Sequence, residues 1–192
     1  AANVFGVFPE TVTSDMRRQA KVINFGILYG MSAFGLSKEL NLPQKTAQTY
    51  IDEYFNRYQG VRAFLDGILE NARQNGFVTT LLNRRRYLPE INSENAPVRQ
   101  FAERMAVNTP IQGTAADLIK VAMINISNLL EKRRLRAHMI MQVHDELVFE
   151  CHHHEKEEVM ALVKKEMEEV IALKVPLKVD IASGRNWDEA HE

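Results

Sequence analysis

The chain has one cysteine, Cys151. That excludes an internal disulfide framework and any cysteine-rich zinc site, and it suits a reducing cytosol. Neither sign of charge dominates. Twenty-four Lys and Arg face 25 Asp and Glu, for a net charge of −1, so any argument for nucleic acid must rest on local patches. No apolar run is long enough to span a bilayer, and no signal peptide is recognisable, which argues against a membrane partner. Repeats, low-complexity tracts and Gly/Ser linkers are missing as well. What is present, 192 residues with 45% hydrophobic and 26% charged side chains, suffices for one domain or two small ones with a real core. The opening Ala1-Ala2-Asn3-Val4-Phe5-Gly6 has neither a Met nor a charged leader. It reads as the end of an interrupted helix, and the expectation is a C-terminal piece of something longer.

The periodicity predicts helices over about 14–29, 32–40, 43–58 and 60–74, the last stopped by Asn75-Gly76. Short strands over 77–82 and 87–88 flank the basic turn Asn83-Arg84-Arg85-Arg86. A helical pattern follows over 96–130, kinked or broken by Pro110 and Gly113. Apolar runs at 139–143 and 147–151, separated by His144-Asp145-Glu146, predict a hairpin. An amphipathic helix over 154–172 and an alternating strand over 175–182 complete the chain. Helices first, then strands mixed with helices, predict an α+β fold: a mostly helical lobe packed on a partial antiparallel sheet with long helices.

Four residues of the first long helix stand out. Arg17, Lys21, Phe25 and Tyr29 follow at four-residue steps, each overshooting a helical turn by about 40°. They share one slowly drifting face, with two cations at its start and two rings at its end. An ordinary amphipathic helix separates charges from rings, and cations in the first turns oppose the helix dipole. An anionic ligand with a flat base or sugar, such as a nucleoside triphosphate, fits both halves of the face. Gly26 and Gly30 would leave bare backbone beside the rings, where something flat could approach.

The hairpin tip places two acids, Asp145 and Glu146, between apolar strands, with no glycine of the kind favoured there for geometry alone. They either meet water or hold a divalent metal, since Mg²⁺ is usually bound by one or two carboxylates plus substrate phosphates. Arg104, Asn108 and Gln112 repeat the four-residue step as a polar stripe, with Phe101, Met105, Ile111 and Leu118 expected on the opposite side. The stripe is either a solvated face or a contact for something large passing the small run Gly113-Thr114-Ala115-Ala116; Arg, Asn and Gln also read bases and phosphates. Arg84-Arg85-Arg86 is a surface turn or a phosphate contact. His152-His153-His154 splay around the backbone and read as an exposed helix start, and Trp187 as a packing or cap residue.

Together these motifs resemble the A family of DNA polymerases, of the bacterial polymerase I type, over essentially the whole chain. Arg17-x-x-x-Lys21-x-x-x-Phe25-x-x-x-Tyr29-Gly30 looks like the fingers helix that binds the incoming nucleotide. Gln142-Val143-His144-Asp145-Glu146 looks like the palm hairpin with a catalytic carboxylate. Arg104-x-x-x-Asn108-x-x-x-Gln112-Gly113-Thr114-Ala115-Ala116-Asp117 is similar to the palm helix that contacts the duplex. The resemblance implies a fingers subdomain over 1–75 and a partial palm over 76–192. It implies that Arg17 and Lys21 bind the dNTP triphosphate, Lys21 also meeting the departing pyrophosphate, that Phe25 packs on sugar and base, and that Tyr29 and Gly30 lie where the templating base enters. Phe at position 25 is associated in this family with rejecting dideoxynucleotides. Asp145 would help hold two catalytic Mg²⁺ ions with Glu146 in support, Gln142 and His144 would lie near the primer terminus, and Arg104, Asn108 and Gln112 would follow the minor groove.

The partners so implied are primer-template DNA and dNTPs, in a bacterial cytoplasm at the nucleoid, in replication and repair. The second metal-binding aspartate of the family belongs to a motif like Asp-Tyr-Ser-x-Ile-Glu-Leu-Arg, which does not occur here. The two-metal site is therefore expected to be incomplete. Two readings follow. The parent is a DNA-directed DNA polymerase, and the isolated chain is a non-catalytic nucleotide- or DNA-binding module, prone to self-association through its exposed sheet edge. More distant is an α+β domain without any nucleotide role.

Overall fold

A computed structural model describes residues 1–191. The chain forms two compact units, Ala1–Ile111 and Gln112–Glu192. The first begins with the short helix α1 (Ala2–Phe5), closed by Gly6 at φ 63°. It continues with α2 (Ser14–Leu28), α3 (Ala33–Leu40), α4 (Gln44–Arg57) and α5 (Gln59–Asn75). Thr13 caps α2, its hydroxyl accepting from the Met16 N–H at 3.2 Å, and Ser32 caps α3 through the Gly35 N–H at 3.2 Å. Asn41 closes α3 and Gly76 closes α5, both left-handed, which satisfies the last carbonyls of each helix. Ile23, Ile27, Leu36 and Ala47 from α2, α3 and α4 form one buried cluster.

A hairpin of β1 (Phe77–Thr79) and β2 (Arg85–Tyr87) follows α5, paired antiparallel with Phe77 opposite Tyr87. The chain then enters α6 (Ala96–Asn108). Ala72, Val78, Leu88, Ile91, Ala102 and Ala106 close a second core, which places the hairpin and α6 in the first unit. This division is one of packing and is separate from any fingers–palm boundary near residue 75. Phe101 does not fill the inner side of α6 as expected; it is exposed, and the small residues Ala102 and Ala106 are buried instead, because only they admit β1 and the segment after β2 this closely.

Pro110 and Gly113 do not break the helix. Residues Thr109–Gly113 form a π turn, one residue wider than an α turn. Pro110 has no N–H to give, and the Thr109 hydroxyl donates to the Met105 carbonyl at 2.7 Å.

The second unit contains α7 (Thr114–Arg133), β3 (Ala137–Val143), β4 (Glu146–Cys151) and α8 (Lys156–Glu168). Ala122, Ile126, Leu130, Ala137, Val159, Leu162 and Val163 form its core. β3 and β4 pair antiparallel with an irregularity between Met139 and Met141, and among the described residues neither has another strand partner. The strand expected over 175–182 is not one. Its alternation produces an extended segment whose Ile181 packs on the core and whose Val179 N–H donates to the Glu168 carboxylate at 2.9 Å. A strand also needs a ladder partner, and none of the described residues supplies it. No described helix is long and apolar enough to cross a membrane.

Candidate nucleotide and nucleic-acid sites

In the first unit α2 turns Ile23, Gly26 and Ile27 inward. That leaves Arg17, Lys21 and Phe25 exposed on the outer face, with Tyr29 half-buried just past the helix end. Phe25 and Tyr29 lie nearly parallel, their ring centroids 6.3 Å apart and their planes 10° apart. Lys21, Phe25, Gly26 and Tyr29 line an open cleft of about 620 Å³, together with Met31, Glu39 and Arg104. Arg17 lies one turn earlier, outside the lining. Its neighbour Arg18 is committed to Asp15 at 2.7 Å. The Arg18 hydrogen bond first, and then that from Gln19, hold the Asp15 carboxyl below the ordinary carboxylate range. Asp15 also places a negative charge in the first turn, which offsets the conflict between the α2 cations and the helix dipole. None of the ion pairs among the described residues uses Arg17 or Lys21.

The two glycines differ. Gly26 was expected to leave room for a flat ligand. It is buried, and a Cβ there would meet the Met31 sulfur at 3.1 Å, so the group that approaches closely is Met31 of the same unit. Gly30 does stand open: it is exposed with φ +77°, and the nearest atom to a Cβ would be Cγ of Arg104 at 3.6 Å. Sequence reasoning missed Met31 and Glu39 as cleft residues. Neither carries a periodic signal, since both reach the cleft through the turn from α2 into α3.

Arg104 and Asn108 are one four-residue step apart on α6, Arg104 exposed and Asn108 partly buried. The Asn108 Oδ1 is buried and has no hydrogen-bond partner among the described residues, a cost normally relieved by a donor. Gln112 is exposed but lies within the π turn.

In the second unit the β3–β4 hairpin closes on two residues, His144 and Asp145. Glu146 was expected at the tip but is the first residue of β4 and pairs with Val143. His144 takes φ 52°, a left-handed position that costs a non-glycine residue some strain. The Gln142 amide donates to the His144 carbonyl at 3.0 Å, which helps fix the turn. Asp145 is thereby presented outward, exposed to solvent. Glu146 is half-buried, and its Oε1 accepts from the Trp187 indole N–H at 2.9 Å. This contact spans 41 residues, so no local pattern could have shown it.

No cluster of three or more His, Cys, Asp or Glu among the described residues could by itself hold a metal. The tip fits Mg²⁺ as a partial donor set: one solvent-facing carboxylate, with a second beside it already holding a hydrogen bond. A Mg²⁺ ion that takes most of its oxygens from phosphates and water needs no more than that from one strand tip.

Comparison with known proteins adds to this geometry. A family model described as DNA polymerase family A matches residues 1–189. DNA polymerase I of Bacillus subtilis (strain 168) is 52% identical over 190 residues, which cover 99% of this chain and 22% of that protein. DNA polymerase I of Geobacillus stearothermophilus is 52% identical with the same coverage. Among solved structures, the POL domain of Pol1 from M. smegmatis, in complex with DNA primer-template and dNTP, matches with a TM-score of 0.95 and 43% identity, covering 100% of this chain and 34% of that one. The chain thus spans about a fifth of the length of the curated relatives it matches.

Proposed function

The chain belongs to DNA polymerase family A, and on that premise we propose that it supplies the nucleotide-binding fingers and part of the palm of a template-directed DNA polymerase. The observation that carries this is the cleft on α2, where an ammonium group without an ion-pair partner among the described residues leads into two parallel rings. Lys21, with Arg17 one turn before it, takes the triphosphate of an incoming dNTP. Phe25 and Tyr29 provide flat apolar surface for its sugar and base. Gly30, open and left-handed, leaves space next to Tyr29 for the templating base, and Arg104 borders that space.

The polymerisation step is attack of a primer 3′-hydroxyl on the α-phosphorus, with pyrophosphate leaving. Bound Mg²⁺ would lower the pKa of that hydroxyl and stabilise the charge that builds on the attacking and leaving oxygens. Within this chain Asp145 would contribute one carboxylate ligand, and Glu146, held by Trp187, supports the tip. Lys21 meets the growing negative charge of the pyrophosphate. Gln142 and His144 stand at the tip where a primer end would lie, and Asn108 and Gln112 offer amides to the minor groove, whose acceptors are nearly independent of sequence.

The complete reaction needs the second aspartate of the family's upstream motif. The isolated chain is therefore an inactive half that binds nucleotide and DNA in the cytoplasm, at the nucleoid, and serves replication and repair only within its parent. Primer extension by the 192-residue chain, alone and mixed with a separately produced upstream palm-and-thumb fragment of a family member, tests this. The expectation is no extension alone and measurable, Mg²⁺-dependent extension on mixing. Extension by the chain alone would refute the incomplete-site reading. Failure of the mixture, with dNTP binding also undetectable, would favour a domain with no nucleotide role.

A further inference from the structure

The closing segment of the second unit enters the reading above only through one indole. Its path is fixed before it reaches the tip. Ile181 packs on the core, and the Val179 N–H is held by the Glu168 carboxylate at 2.9 Å. The chain then folds over residues 184–189 into a tight turn with Trp187 inside it. The Asn186 Oδ1 accepts from the Glu189 N–H at 2.9 Å. The Glu189 carboxylate uses both oxygens in return. Its Oε1 accepts from the Asn186 amide at 3.0 Å and its Oε2 from the Arg185 N–H at 2.9 Å. An Asn and a Glu three residues apart thus pair reciprocally, in the manner of a capping box. Gly184 completes the closure. A Cβ there would stand 2.7 Å from Cβ of Glu189 and 2.8 Å from the Ala190 nitrogen, well inside packing distance. The turn as built therefore requires glycine at its start.

The plain reading is a chain end tied down by its own polar groups. That accounts for the turn but not for what it displays. Trp187 is 49% exposed, so the turn does not serve to bury the ring. What it delivers is the indole N–H, 2.9 Å from Oε1 of Glu146. Glu146 opens β4, in a sheet of two strands among the described residues. A two-stranded sheet is a weak support by itself, and the turn gives the tip a second one.

We infer that the turn over 184–189 is a positioning element for the carboxylate pair of the hairpin tip, with Gly184, Asn186 and Glu189 acting through the Trp187 indole on Glu146. Three hydrogen bonds around residue 187 hold the donor, and the donor sets the direction of the glutamate. Gly184, Asn186 and Glu189 are positioning residues, each one step removed from the tip. What the tip does in polymerisation rests on the proposed function; the hold of the turn on Glu146 does not.

Trp187 is the only tryptophan, so the chain gives a single indole ¹H–¹⁵N resonance that reports its bond to Glu146. Glu146→Ala marks where the resonance lies when that bond is lost. Glu189→Ala should move the wild-type resonance toward that position. Gly184→Ala, which leaves every polar group of the turn in place, should do the same. Asp188→Ala, which removes an exposed charge from the same turn, should leave it where it is. In the enzyme reconstituted with the upstream palm-and-thumb fragment, Glu189→Ala should slow single-turnover incorporation about fivefold, the equivalent of one ordinary hydrogen bond. The dNTP concentration for half-maximal rate should not change. Combined with Trp187→Phe, it should cost nothing beyond Trp187→Phe alone, because both act on one bond, whereas losses at independent sites multiply. A resonance that stays in place in both Glu189→Ala and Gly184→Ala overturns the inference. So does unslowed incorporation by Glu189→Ala, or a double variant whose losses multiply, since Glu189 would then act by another route. A wild-type mixture that extends no primer counts instead against the polymerase reading, and the resonance alone then decides the turn.

Discussion

The α2 face and the β3–β4 tip offer their functional groups on very different supports. On α2, Lys21 and Phe25 are held by a helix whose opposite side is locked by Ile23, Gly26 and Ile27 into a core with Leu36 and Ala47. The face stands preformed. The tip is a two-residue turn on a two-stranded sheet, with a strained His144 and an outward-facing Asp145. Its carboxylate stands on a support with no further strand beside it among the described residues. A binding surface can be complete within one helix, whereas a metal site must gather ligands from several strands. On the proposed reading, the nucleotide-binding face is therefore largely whole within this chain and the metal site is not.

The largest expected effect breaks this comparison at its weaker end. On the proposed reading Asp145→Asn removes a metal-binding charge from the reconstituted enzyme, a contribution of several kcal/mol to the transition state, so turnover should fall about 10³-fold or more with primer-template affinity little changed. Lys21→Ala should reduce turnover less, by about 10²-fold, in the range seen when one preorganised electrostatic donor is lost. Single-turnover incorporation rates measure both. If Lys21→Ala proves costlier than Asp145→Asn, the tip is not the metal-bearing element.

A smaller effect concerns Trp187. Its indole N–H donates to the Glu146 carboxylate, and a hydrogen bond to a charged group contributes about 1.5–3 kcal/mol. Trp187→Phe should keep the ring packing and remove this hydrogen bond, so turnover in the reconstituted enzyme should fall by about tenfold while melting of the isolated chain drops by about 3–12 °C. Trp187 is the only tryptophan of the chain, so its fluorescence reports directly on the tip. Titrating Mn²⁺ into the wild type should change that emission, and Asp145→Asn should abolish the change. An emission unaffected by Mn²⁺ would mean that metal does not reach this carboxylate pair.

These cases show what the sequence could reveal. The 3.6-residue period, Thr13, Ser32 and Gly76 exposed α2, α3 and α5 almost to the residue, and the four-residue spacing put Lys21, Phe25 and Tyr29 on one face, because each signal is local. The paired apolar runs marked β3–β4 for the same reason. The strand expected over 175–182 failed because alternation says only that a segment is extended, while a ladder needs a neighbour elsewhere in the chain. Phe101 was assigned inward by period, but close packing against β1 selected Ala102 and Ala106. Met31, Glu39 and Trp187 were invisible as site residues, since each arrives through a turn or from a distant segment.

The smallest effect sharpens the comparison inside the first unit. Gly26 and Gly67 both lie within helices, where Ala is favoured over Gly by about 1 kcal/mol. A Cβ at Gly67 meets nothing within 4 Å, so Gly67→Ala should stabilise the chain by about 0.5–1 kcal/mol, read from chemical denaturation. A Cβ at Gly26 meets the Met31 sulfur at 3.1 Å and its terminal methyl at 3.3 Å. These are the flexible end of a side chain, which can move by a few tenths of an ångström. Crowding then offsets the propensity gain, and Gly26→Ala should be nearly neutral in stability. Met31 lines the cleft, so its displacement should weaken dNTP binding by about threefold or less, the order expected when van der Waals packing is disturbed and every charge stays in place. Gly67→Ala should leave dNTP binding untouched. If Gly26→Ala instead stabilises the chain as much as Gly67→Ala and leaves nucleotide binding unaltered, Met31 is not held against α2 and does not shape the cleft floor.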